Sequence, residues 1–337
     1  MNANNSTLRA AITGLGVYLP EKRLTNQELE QMLDTSAEWI VQRTGICERR
    51  IAAPKETTFT MALEASRQAL TVANLSAAKV DLIICATLTP EHPFPSTASL
   101  LQHALGATRA AGFDLEAACA GFIYALSVAR AYIISGMAEN ILVIGSETMS
   151  RVVDWEDRST CILFGDGAGA AVVRAVRGPA EVGGAIESVV LANDGSKASA
   201  LIIPGGGSHS PTTEETVRQR LHFIQMNGSE VFKAAVRGMS DACLLAAERA
   251  DLKLSELDLM VAHQANARII EAVQRRLGLP DYKVYQNLQR YGNTSAASVP
   301  IALYDAQQEG RLRSGMRVAI AGFGGGFSCG AAIIRWG

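Results

Sequence analysis

The chain has 337 residues, of which 48% are hydrophobic, and this length is sufficient for a large core and typical of about two domains. The formal net charge is −2, with acidic and basic residues interspersed along the sequence. This composition argues against a nucleic-acid partner and against a polybasic membrane anchor.

The N-terminal sequence MNANNSTLRA lacks the basic region and the apolar block of a signal peptide, and the apolar segments are too short or too interrupted to span a bilayer. We therefore expect a soluble cytoplasmic protein without a membrane partner. The cysteines form neither a CxxC pair nor a Cys/His cluster, which argues against a metal site and against a disulfide framework. They are Cys47, Cys85, Cys119, Cys161, Cys243 and Cys329.

Apolar runs rich in β-branched and aliphatic residues alternate with longer helical patterns along the chain. In chain order, the predicted strands are AAITGLGVYL, VDLIICAT, NILVIGSE, AGAAVVRAV, LDLMVAHQ and RVAIAGFG. Buried strands that alternate with helices predict a protein of the α/β class, built in layers.

Two pairs of segments resemble each other across about half the length of the chain. LSAAKVDLIICATLTP (75–90) resembles LSELDLMVAHQA (254–265), and FGDGAGAAVV (164–173) resembles FGGGFSCGAAII (323–334). Because both pairs occur in the same order, they indicate an internal duplication with a boundary in VRGPAEVGG. The predicted halves are residues 1–180 and residues 181–337.

Cys119 lies between the short predicted strand AGFDLEA (111–117) and the predicted helix GFIYALSVARAYIISG (121–136). At this position its sulfur would lie near unpaired amide groups and the positive end of the helix dipole, which stabilise a thiolate and lower the thiol pKa. Small neighbours leave room for a substrate. A buried packing cysteine is the alternative, because free cysteine is among the most buried residue types.

Two further polar residues are candidate partners of Cys119. His263 follows the apolar run LDLMVA and precedes a helical pattern, so it also lies between a strand and a helix. Asn293 lies in RYGNTSAASVPIAL, where Asn293 or Thr294 is suited to cap the following helix. A satisfied structural histidine and a simple helix cap are the alternatives.

The glycines of GFGGGFS (322–328) let the backbone approach a ligand closely and offer amides for an oxyanion, although glycine turns are common. The motifs ACAGF, HQAN, GNTSAAS and GFGGGF occur in this order, together with EWIVQRTGI and LFGDGAGAA. With these motifs the chain resembles, from end to end, the β-ketoacyl-acyl carrier protein synthase III family of thiolase-like condensing enzymes. The resemblance implies a thiolase-like fold with two pseudo-symmetric halves in a layered α-β-α-β-α arrangement.

The resemblance also implies a reaction in two steps. An acyl-CoA starter such as acetyl-CoA would acylate Cys119 of the first half, with an oxyanion hole formed by the amides of Cys119 and Gly325. His263 and Asn293 of the second half would then hydrogen-bond the thioester oxygen of malonyl-acyl carrier protein during its decarboxylation. The resulting carbanion would attack the acyl group and give 3-oxoacyl-carrier protein, which initiates fatty acid biosynthesis. Neither a metal nor another cofactor is implied.

Further residues match family positions for substrate and partner binding. The implied contacts to CoA and its pantetheine arm are Trp39, Arg43, Thr44, Arg158, Gly228 and Asn266. The implied surface for the acidic carrier protein consists of Arg268, Lys233, Arg275 and Arg276. Phe94 would reach the acyl pocket of a partner subunit, which predicts a homodimer.

One position departs from the family pattern, since many members have an aromatic residue two positions after GGGF where this chain has Ser328 and then Cys329. The departure leaves the shape of the acyl pocket open, and with it the starter acyl group.

Three other functions remain as alternatives. The same fold can transfer acyl groups to oxygen or nitrogen or make a specialised metabolite. A papain-like hydrolase also uses Cys, His and Asn in this order, and the 144 residues from Cys119 to His263 fit its spacing, but CGSCW-type sequence is absent. A carrier-binding scaffold without activity would not require all three residues together.

Overall fold

Two β-sheets with flanking helices make up the part of the chain that the computed structural model describes, residues 8–178 and 183–337. The strands are β1 (Leu8–Tyr18), β2 (Arg23–Thr25), β3 (Glu48–Arg50), β4 (Leu82–Ala86), β5 (Ala111–Leu115), β6 (Asn140–Glu147), β7 (Gly167–Arg177), β8 (Ile186–Asn193), β9 (Leu201–Ile202), β10 (Gln225–Met226), β11 (Leu259–Ala262), β12 (Arg317–Phe323) and β13 (Ser328–Arg335). The helices are α1 (Asn26–Leu29), α2 (Ala37–Thr44), α3 (Thr58–Val72), α4 (Thr97–Leu105), α5 (Gly121–Ile134), α6 (Glu214–Arg218), α7 (Gly228–Arg249), α8 (Ala267–Leu277), α9 (Leu288–Tyr291) and α10 (Ser298–Gln308).

The two main sheets have the same strand order. The first sheet runs β1-β7-β6-β4-β5 and the second runs β8-β13-β12-β11. In each, the first two pairs are antiparallel and the third pair is parallel. A fifth strand corresponding to β5 is reduced in the second sheet to a parallel bridge between Met260 and Val284.

The register of the two sheets also agrees. In the first sheet Leu82 pairs with Ile141, and in the second sheet Leu259 pairs with Val318. Each residue of the second pair lies 177 positions after its counterpart in the first pair. The segments that resemble each other in the sequence therefore occupy equivalent strands. The predicted boundary near residue 180 lies outside the described residues, so the limits of the two halves remain a prediction.

An aspartate that occurs in both of the first pair of similar segments has the same structural role. The carboxylate of Asp81 accepts the Asn140 amide at the start of β6, at 3.0 Å. The carboxylate of Asp258 accepts the Arg317 amide at the start of β12, at 2.8 Å. Each aspartate therefore fixes the start of the strand next to its own.

The helices form three layers around the two sheets. Helices α3 and α4 cover the outer face of the first sheet, and α7 covers the outer face of the second sheet with α8 beside it. Helices α5 and α10 lie between the sheets and contact strands of both. The predicted α-β-α-β-α arrangement is therefore confirmed.

Helix α5 is largely apolar because it contacts both sheets. Its residues Phe122, Ile123, Leu126 and Ile133 are almost completely buried in the central core cluster. A helix with a single apolar stripe is suited to one covered face, whereas a helix between two sheets must bury its whole circumference.

Each central helix is preceded by a short 3-10 turn that contacts the opposite sheet. The turn Ala118–Ala120 precedes α5, and a Cβ added at Gly322 of β12 would lie 3.3 Å from the Cys119 carbonyl oxygen. The turn Ser295–Ala297 precedes α10, and a Cβ added at Gly145 of β6 would lie 2.3 Å from the Ala296 carbonyl oxygen. Glycine at these two strand positions therefore allows the two turns to approach the centre of the molecule.

In the described residues, no helix is both long and apolar enough to cross a bilayer. Nor do the described ranges contain a group of three or more His, Cys, Asp or Glu side chains placed to hold a metal ion.

Candidate active site

A cavity of about 530 Å³ leads from the protein surface to the two central turns. Its inner end is lined by Cys119, His263, Asn293 and Phe323. Its outer part is lined by Trp39, Arg43, Thr44, Ser159, Gly228, Lys233, Asn266 and Arg268, among others. The three predicted catalytic residues therefore line one cavity, together with most of the predicted binding residues.

Cys119 lies in the middle of the turn that joins β5 to α5, and only 7% of its surface is exposed. The preceding residue, Ala118, has a left-handed backbone with φ of 44°. The Glu116 carboxylate accepts the Ala118 amide at 2.9 Å and so holds this strained conformation. The turn fixes the position of the sulfur at the inner end of the cavity.

The thiol of Cys119 does not have the low pKa that its place before a helix predicts. Its pKa is raised to about 12, with burial as the largest cause; the Ser295 hydroxyl lowers the pKa, and the Glu147 and Glu116 carboxylates raise it. The prediction of a thiolate at rest is therefore wrong, because the loss of hydration outweighs the favourable helix end. The resting cysteine is a thiol that loses its proton only during a reaction.

His263 directly follows β11 and is almost completely buried. Its amide donates to the Ala321 carbonyl at 2.7 Å, and its Nδ1 lies 2.5 Å from the Ser298 hydroxyl at the start of α10. Burial lowers its pKa to about 3. His263 is therefore a neutral imidazole with one ring nitrogen already in a hydrogen bond, which fixes the orientation of the ring.

Asn293 is fixed through both its backbone and its side chain. Its amide donates to the Leu163 carbonyl at 2.8 Å, and its carbonyl accepts the Gly165 amide at 3.0 Å. Its side-chain Oδ1 accepts the Ser295 amide at 2.9 Å. The alternative interpretation as a helix cap is wrong, since neither the 3-10 turn Ser295–Ala297 nor α10 has a side-chain cap. Oδ1 closes a local turn onto Ser295, and the Nδ2 group remains for a ligand.

The two central turns are built alike. Ser295, like Ala118, has a left-handed backbone, with φ of 49°, and each amide is accepted by a side-chain oxygen two residues earlier. Glu116 and Asn293 are these acceptors, and they lie 177 residues apart, the same offset as the equivalent strands. Asn293 is therefore the counterpart of Glu116, and His263 is not the counterpart of Cys119, because it follows a strand directly.

The glycine segment after β12 contacts the Cys119 turn closely. A Cβ added at Gly324 would lie only 2.5 Å from the Cys119 amide nitrogen. Neither the Cys119 amide nor the Gly325 amide is a donor among the backbone hydrogen bonds outside helices and strands in the described ranges. Cys119 lines the inner end of the cavity, and Gly325 does not belong to its lining.

The outer part of the cavity has an aromatic ring flanked by two guanidinium groups. The Arg43 guanidinium lies 5.7 Å from the centre of the Trp39 ring, and that of Arg158 lies 5.5 Å from it. Arg158 also pairs with Asp34 at 3.7 Å. This arrangement is suited to stack on a planar base and to contact phosphates.

Thr44, Asn266 and Gly228 line the cavity between these two ends. Thr44 donates its hydroxyl to the Ile40 carbonyl at 2.6 Å, and Asn266 donates its side-chain amide to the Arg43 carbonyl at 3.1 Å. Asn266 also caps α8, since its Oδ1 accepts the Arg268 amide. A Cβ at Gly228 would meet only the Met226 Cε, at 3.9 Å, so internal packing does not require glycine there.

The four basic residues predicted for a carrier protein lie on the adjacent helices α7 and α8. Lys233 and Arg268 line the cavity, and Arg268 lies over the Phe232 ring. Arg275 and Arg276 lie in the last turn of α8 and pair with carboxylates of the same helix and of α7.

Phe94 and Cys329 lie away from the cavity lining. Phe94 is 88% exposed. Cys329 is buried and lines a separate cavity of about 670 Å³ on the other side of α7, and Phe323 lines both cavities. Cys329 is also the strand partner of Phe323, so the departure can act on the inner end of the main cavity through Phe323.

The sequence did not indicate the polar network behind the turn of Asn293. Ser295 donates its hydroxyl to Glu147 at 3.0 Å, and Glu147 also accepts from the hydroxyls of Thr87 and Thr89. Neither Glu147, at the end of a strand, nor Ser295, in a small-residue motif, carries a local signal. Arg49 is also completely buried, and the sequence did not single it out.

Known proteins resemble the chain over nearly its whole length. Residues 113–195 match the protein family described as 3-oxoacyl-[acyl-carrier-protein (ACP)] synthase III, and residues 247–336 match the family described as its C-terminal part. A β-ketoacyl-[acyl-carrier-protein] synthase III of Symbiobacterium thermophilum is 52% identical over 326 residues, which cover 97% of this chain and 98% of the relative.

Solved structures agree with these sequence relatives. The crystal structure of 3-oxoacyl-[acyl-carrier-protein] synthase III from Aquifex aeolicus has a TM-score of 0.88 at 47% identity and covers 97% of this chain and 100% of that chain. The priming β-ketosynthase of the R1128 polyketide biosynthetic pathway has a TM-score of 0.89 at 38% identity, with 97% of this chain and 96% of that chain covered.

The two matched sheets and the central turns define the class of thiolase-like condensing enzymes. Within this class, the chain belongs to the β-ketoacyl-[acyl-carrier-protein] synthase III family. The fold predicted from the sequence motifs is confirmed.

Proposed function

We propose that the protein condenses an acyl-CoA starter, such as acetyl-CoA, with malonyl-acyl carrier protein and gives 3-oxoacyl-carrier protein, CO2 and CoA. The observation that carries this proposal is that Cys119, His263 and Asn293 line the buried end of one cavity whose outer part holds Trp39 and Arg43. Membership in the synthase III family supports it, and the product would initiate fatty acid biosynthesis.

Acylation of Cys119 is the first step. The thiol attacks the acyl-CoA carbonyl, and its proton leaves with the CoA sulfur, so that an acyl thioester and free CoA are formed. The amides of Cys119 and Gly325 are the proposed oxyanion hole, which supports the negative oxygen of the tetrahedral intermediate. A thiol whose pKa burial raises to about 12 stays protonated until the substrate is bound.

Decarboxylation of the malonyl group is the second step. Loss of CO2 leaves negative charge on the thioester oxygen, and His263 and Asn293 are the proposed donors to it. A neutral imidazole and a side-chain amide are suited to this task, since both can donate a hydrogen bond to the oxygen without transferring their proton to it. The carbanion then attacks the acyl group on Cys119 and releases the sulfur. No metal and no further cofactor enters these steps.

Trp39, Arg43 and Arg158 are the proposed contacts to the CoA base and phosphates, and Thr44, Gly228 and Asn266 those to the pantetheine arm. The proposed surface for the acidic carrier protein comprises Lys233, Arg268, Arg275 and Arg276. Lys233 and Arg268 line the cavity, so that a prosthetic arm attached to the carrier would enter beside Arg268, while Arg275 and Arg276 lie farther along α8.

We also propose that the protein is a homodimer in the cytoplasm. Within each chain, the proposed halves are residues 1–180 and 181–337. Strand β5 forms one end of the first sheet, and an exposed strand edge can pair with a second copy of the chain. Phe94 is 88% exposed and is the proposed contribution to the acyl pocket of the partner.

A second candidate is the priming reaction of a specialised pathway on the same fold. The resemblance to the priming β-ketosynthase of the R1128 polyketide pathway, at 38% identity, favours it as the alternative. It keeps the roles of Cys119, His263 and Asn293 and changes the carrier protein and the starter. Acyl transfer to oxygen or nitrogen would change the acceptor instead.

Intact-protein mass spectrometry tests the proposal. The enzyme is mixed with acetyl-, isobutyryl- or octanoyl-CoA and then with malonyl-carrier protein. We expect an acyl adduct that is absent in Cys119→Ala and that malonyl-carrier protein removes as a 3-oxoacyl product with CO2. In Asn293→Ala the adduct should form, but its removal should slow about 100-fold, because one of two donors is lost.

Asn287→Ala is a matched control, because Asn287 is equally buried and does not line the cavity. Removal of the adduct only by water or by an alcohol would contradict carbon–carbon bond formation and favour a hydrolase or an acyl transferase. No adduct with any starter would favour a scaffold without activity.

A further inference from the structure

Glu147 is a completely buried carboxylate at the end of β6, and the steps above make no use of it. It accepts hydrogen bonds from the Thr87 hydroxyl at 3.0 Å, the Thr89 hydroxyl at 2.5 Å and the Ser295 hydroxyl at 3.0 Å. The amides of Leu88 and Thr89 complete this set of neutral donors. A buried carboxylate with this many donors is held in a single orientation.

Among these donors, Ser295 is the one that comes from the second half of the chain, in the turn before α10. Its hydroxyl reaches Glu147 across 148 residues of sequence, and its amide donates to Asn293 Oδ1 at 2.9 Å. With φ of 49°, Ser295 has a backbone conformation that is costly for a residue other than glycine. Two hydrogen bonds therefore hold one strained residue, one on each side of it.

We propose that Glu147 is a positioning residue for Asn293 and acts through Ser295. The carboxylate anchors the Ser295 hydroxyl, the anchored turn presents the Ser295 amide to Asn293 Oδ1, and the Asn293 side chain is thereby oriented with its Nδ2 group toward the substrate. The reverse orientation would place an NH2 group against the Ser295 N–H. This inference rests on the proposed function, because it assigns Glu147 to the malonyl step.

The two half-reactions should respond differently to Glu147. Asn293 is the proposed donor in decarboxylation and has no role in the proposed acylation of Cys119. The Glu147 charge also raises the pKa of Cys119 and of Cys85, the two titratable groups on which its charge acts. Its loss therefore should not slow acylation, whereas a general loss of structure would slow both steps.

The experiment compares Glu147→Gln, Ser295→Ala and the double variant with the unchanged full-length enzyme. Acylation by acetyl-CoA and discharge by malonyl-carrier protein are timed separately by intact-protein mass spectrometry. We expect discharge to slow about tenfold or more in each single variant, while acylation changes less than about threefold in Glu147→Gln. Ser295→Ala should slow acylation as well, because the Ser295 hydroxyl lowers the pKa of Cys119. Both substitutions interrupt the same chain of contacts from Glu147 through Ser295 to Asn293. The double variant should therefore discharge only a little more slowly than the slower of the two single variants.

Asp81→Asn is the matched control. Asp81 is also a carboxylate that accepts backbone amides at β6, but it lies at the start of that strand, about 23 Å from Glu147 at the usual rise per residue. We expect it to leave the ratio of discharge to acylation unchanged, whatever it does to the melting temperature.

The proposal is overturned if Glu147→Gln slows both half-reactions equally, if it leaves discharge unchanged, or if the defects of the two single variants add in the double variant. Should Glu147→Gln fail to fold, Glu147→Asp decides, since it keeps the carboxylate but withdraws it from the Ser295 hydroxyl and leaves Ser295 in place. An unchanged enzyme that forms the acyl adduct but never discharges it onto malonyl-carrier protein would instead refute the proposed function.

Discussion

His263 is buried without a charged partner, and this has a consequence for the stability of the protein. Burial lowers its pKa from 6.5 to about 3, so the folded protein does not take up this proton until the pH is very low. The unfolded chain takes it up near pH 6.5. Below pH 6.5 the unfolded state therefore binds more protons, and the free energy of unfolding falls as the pH falls.

We predict that His263→Gln removes this contribution. Between pH 7.5 and pH 5.0 the unchanged protein should lose about 2 kcal/mol more of its free energy of unfolding than the variant does. Urea unfolding followed by circular dichroism at the two pH values measures the difference. Glu147, whose pKa is raised to about 7, acts in the opposite direction but is present in both proteins and cancels. Equal losses would mean that His263 is protonated in the folded state.

At the scale of single residues, the identity of the catalytic candidates could be predicted and their protonation could not. Cys119, His263 and Asn293 each lie where an apolar run meets a helix, and this pattern is visible in the sequence. The pKa of Cys119 depends on burial between two sheets and on Glu147, which is distant in sequence. A helix end alone predicted the wrong direction of the shift.

Among the turns, the glycine segment after β12 makes the closest approach to Cys119. Gly324 has an extended backbone, with φ of −149°, so alanine would cause no strain in the chain itself. Its Cβ would, however, lie 2.5 Å from the Cys119 amide nitrogen and 2.9 Å from the Ala118 Cβ. The backbone of the Cys119 turn would have to move.

We predict that Gly324→Ala lowers the free energy of unfolding by roughly 1–3 kcal/mol and slows acylation of Cys119 by at least about tenfold. The free energy of unfolding falls because the added methyl group overpacks the turn. Acylation slows because the sulfur and the proposed oxyanion amides are displaced. Chemical unfolding and the rate of adduct formation measure them. Gly207→Ala is the control, since nothing lies within 4 Å of a Cβ there. Unimpaired acylation in Gly324→Ala would mean that the turn adapts.

The strands and central helices of the two halves could be predicted because their runs of apolar residues are continuous. The predicted helix at 121–136 is observed as α5, Gly121–Ile134. The contact between Ser295 and Glu147 could not be predicted, because it joins elements 148 residues apart and depends on a backbone conformation that the sequence does not reveal. Strand β8 was not predicted at all; five of its eight residues are not buried.

For the whole molecule, the two sheets explain why one cavity contains residues from distant parts of the sequence. Equivalent turns approach the centre from both sides, and each contacts a glycine of the opposite sheet, Gly145 or Gly322. The same arrangement brings Cys119 from one side together with His263 and Asn293 from the other. Equivalent scaffolding thus carries different side chains, a thiol in one turn and an amide in the other.

The remaining feature of the whole molecule is Phe94, which is 88% exposed in the single chain and does not line its cavity. If two copies associate, as β5 at the edge of the first sheet permits, Phe94 becomes available to the acyl pocket of the other copy.

We predict that the protein sediments at about twice its chain mass of 35.8 kDa. Phe94→Ala should leave that mass unchanged but shift the ratio of octanoyl to acetyl adduct formation by about tenfold, because a bulky ring leaves the end of the acyl pocket. Sedimentation velocity and intact-protein mass spectrometry measure the two quantities. Tyr282→Ala, which removes another exposed aromatic, should change neither. A dimer in which Phe94→Ala keeps the acyl preference would show that this ring lies outside the partner's pocket.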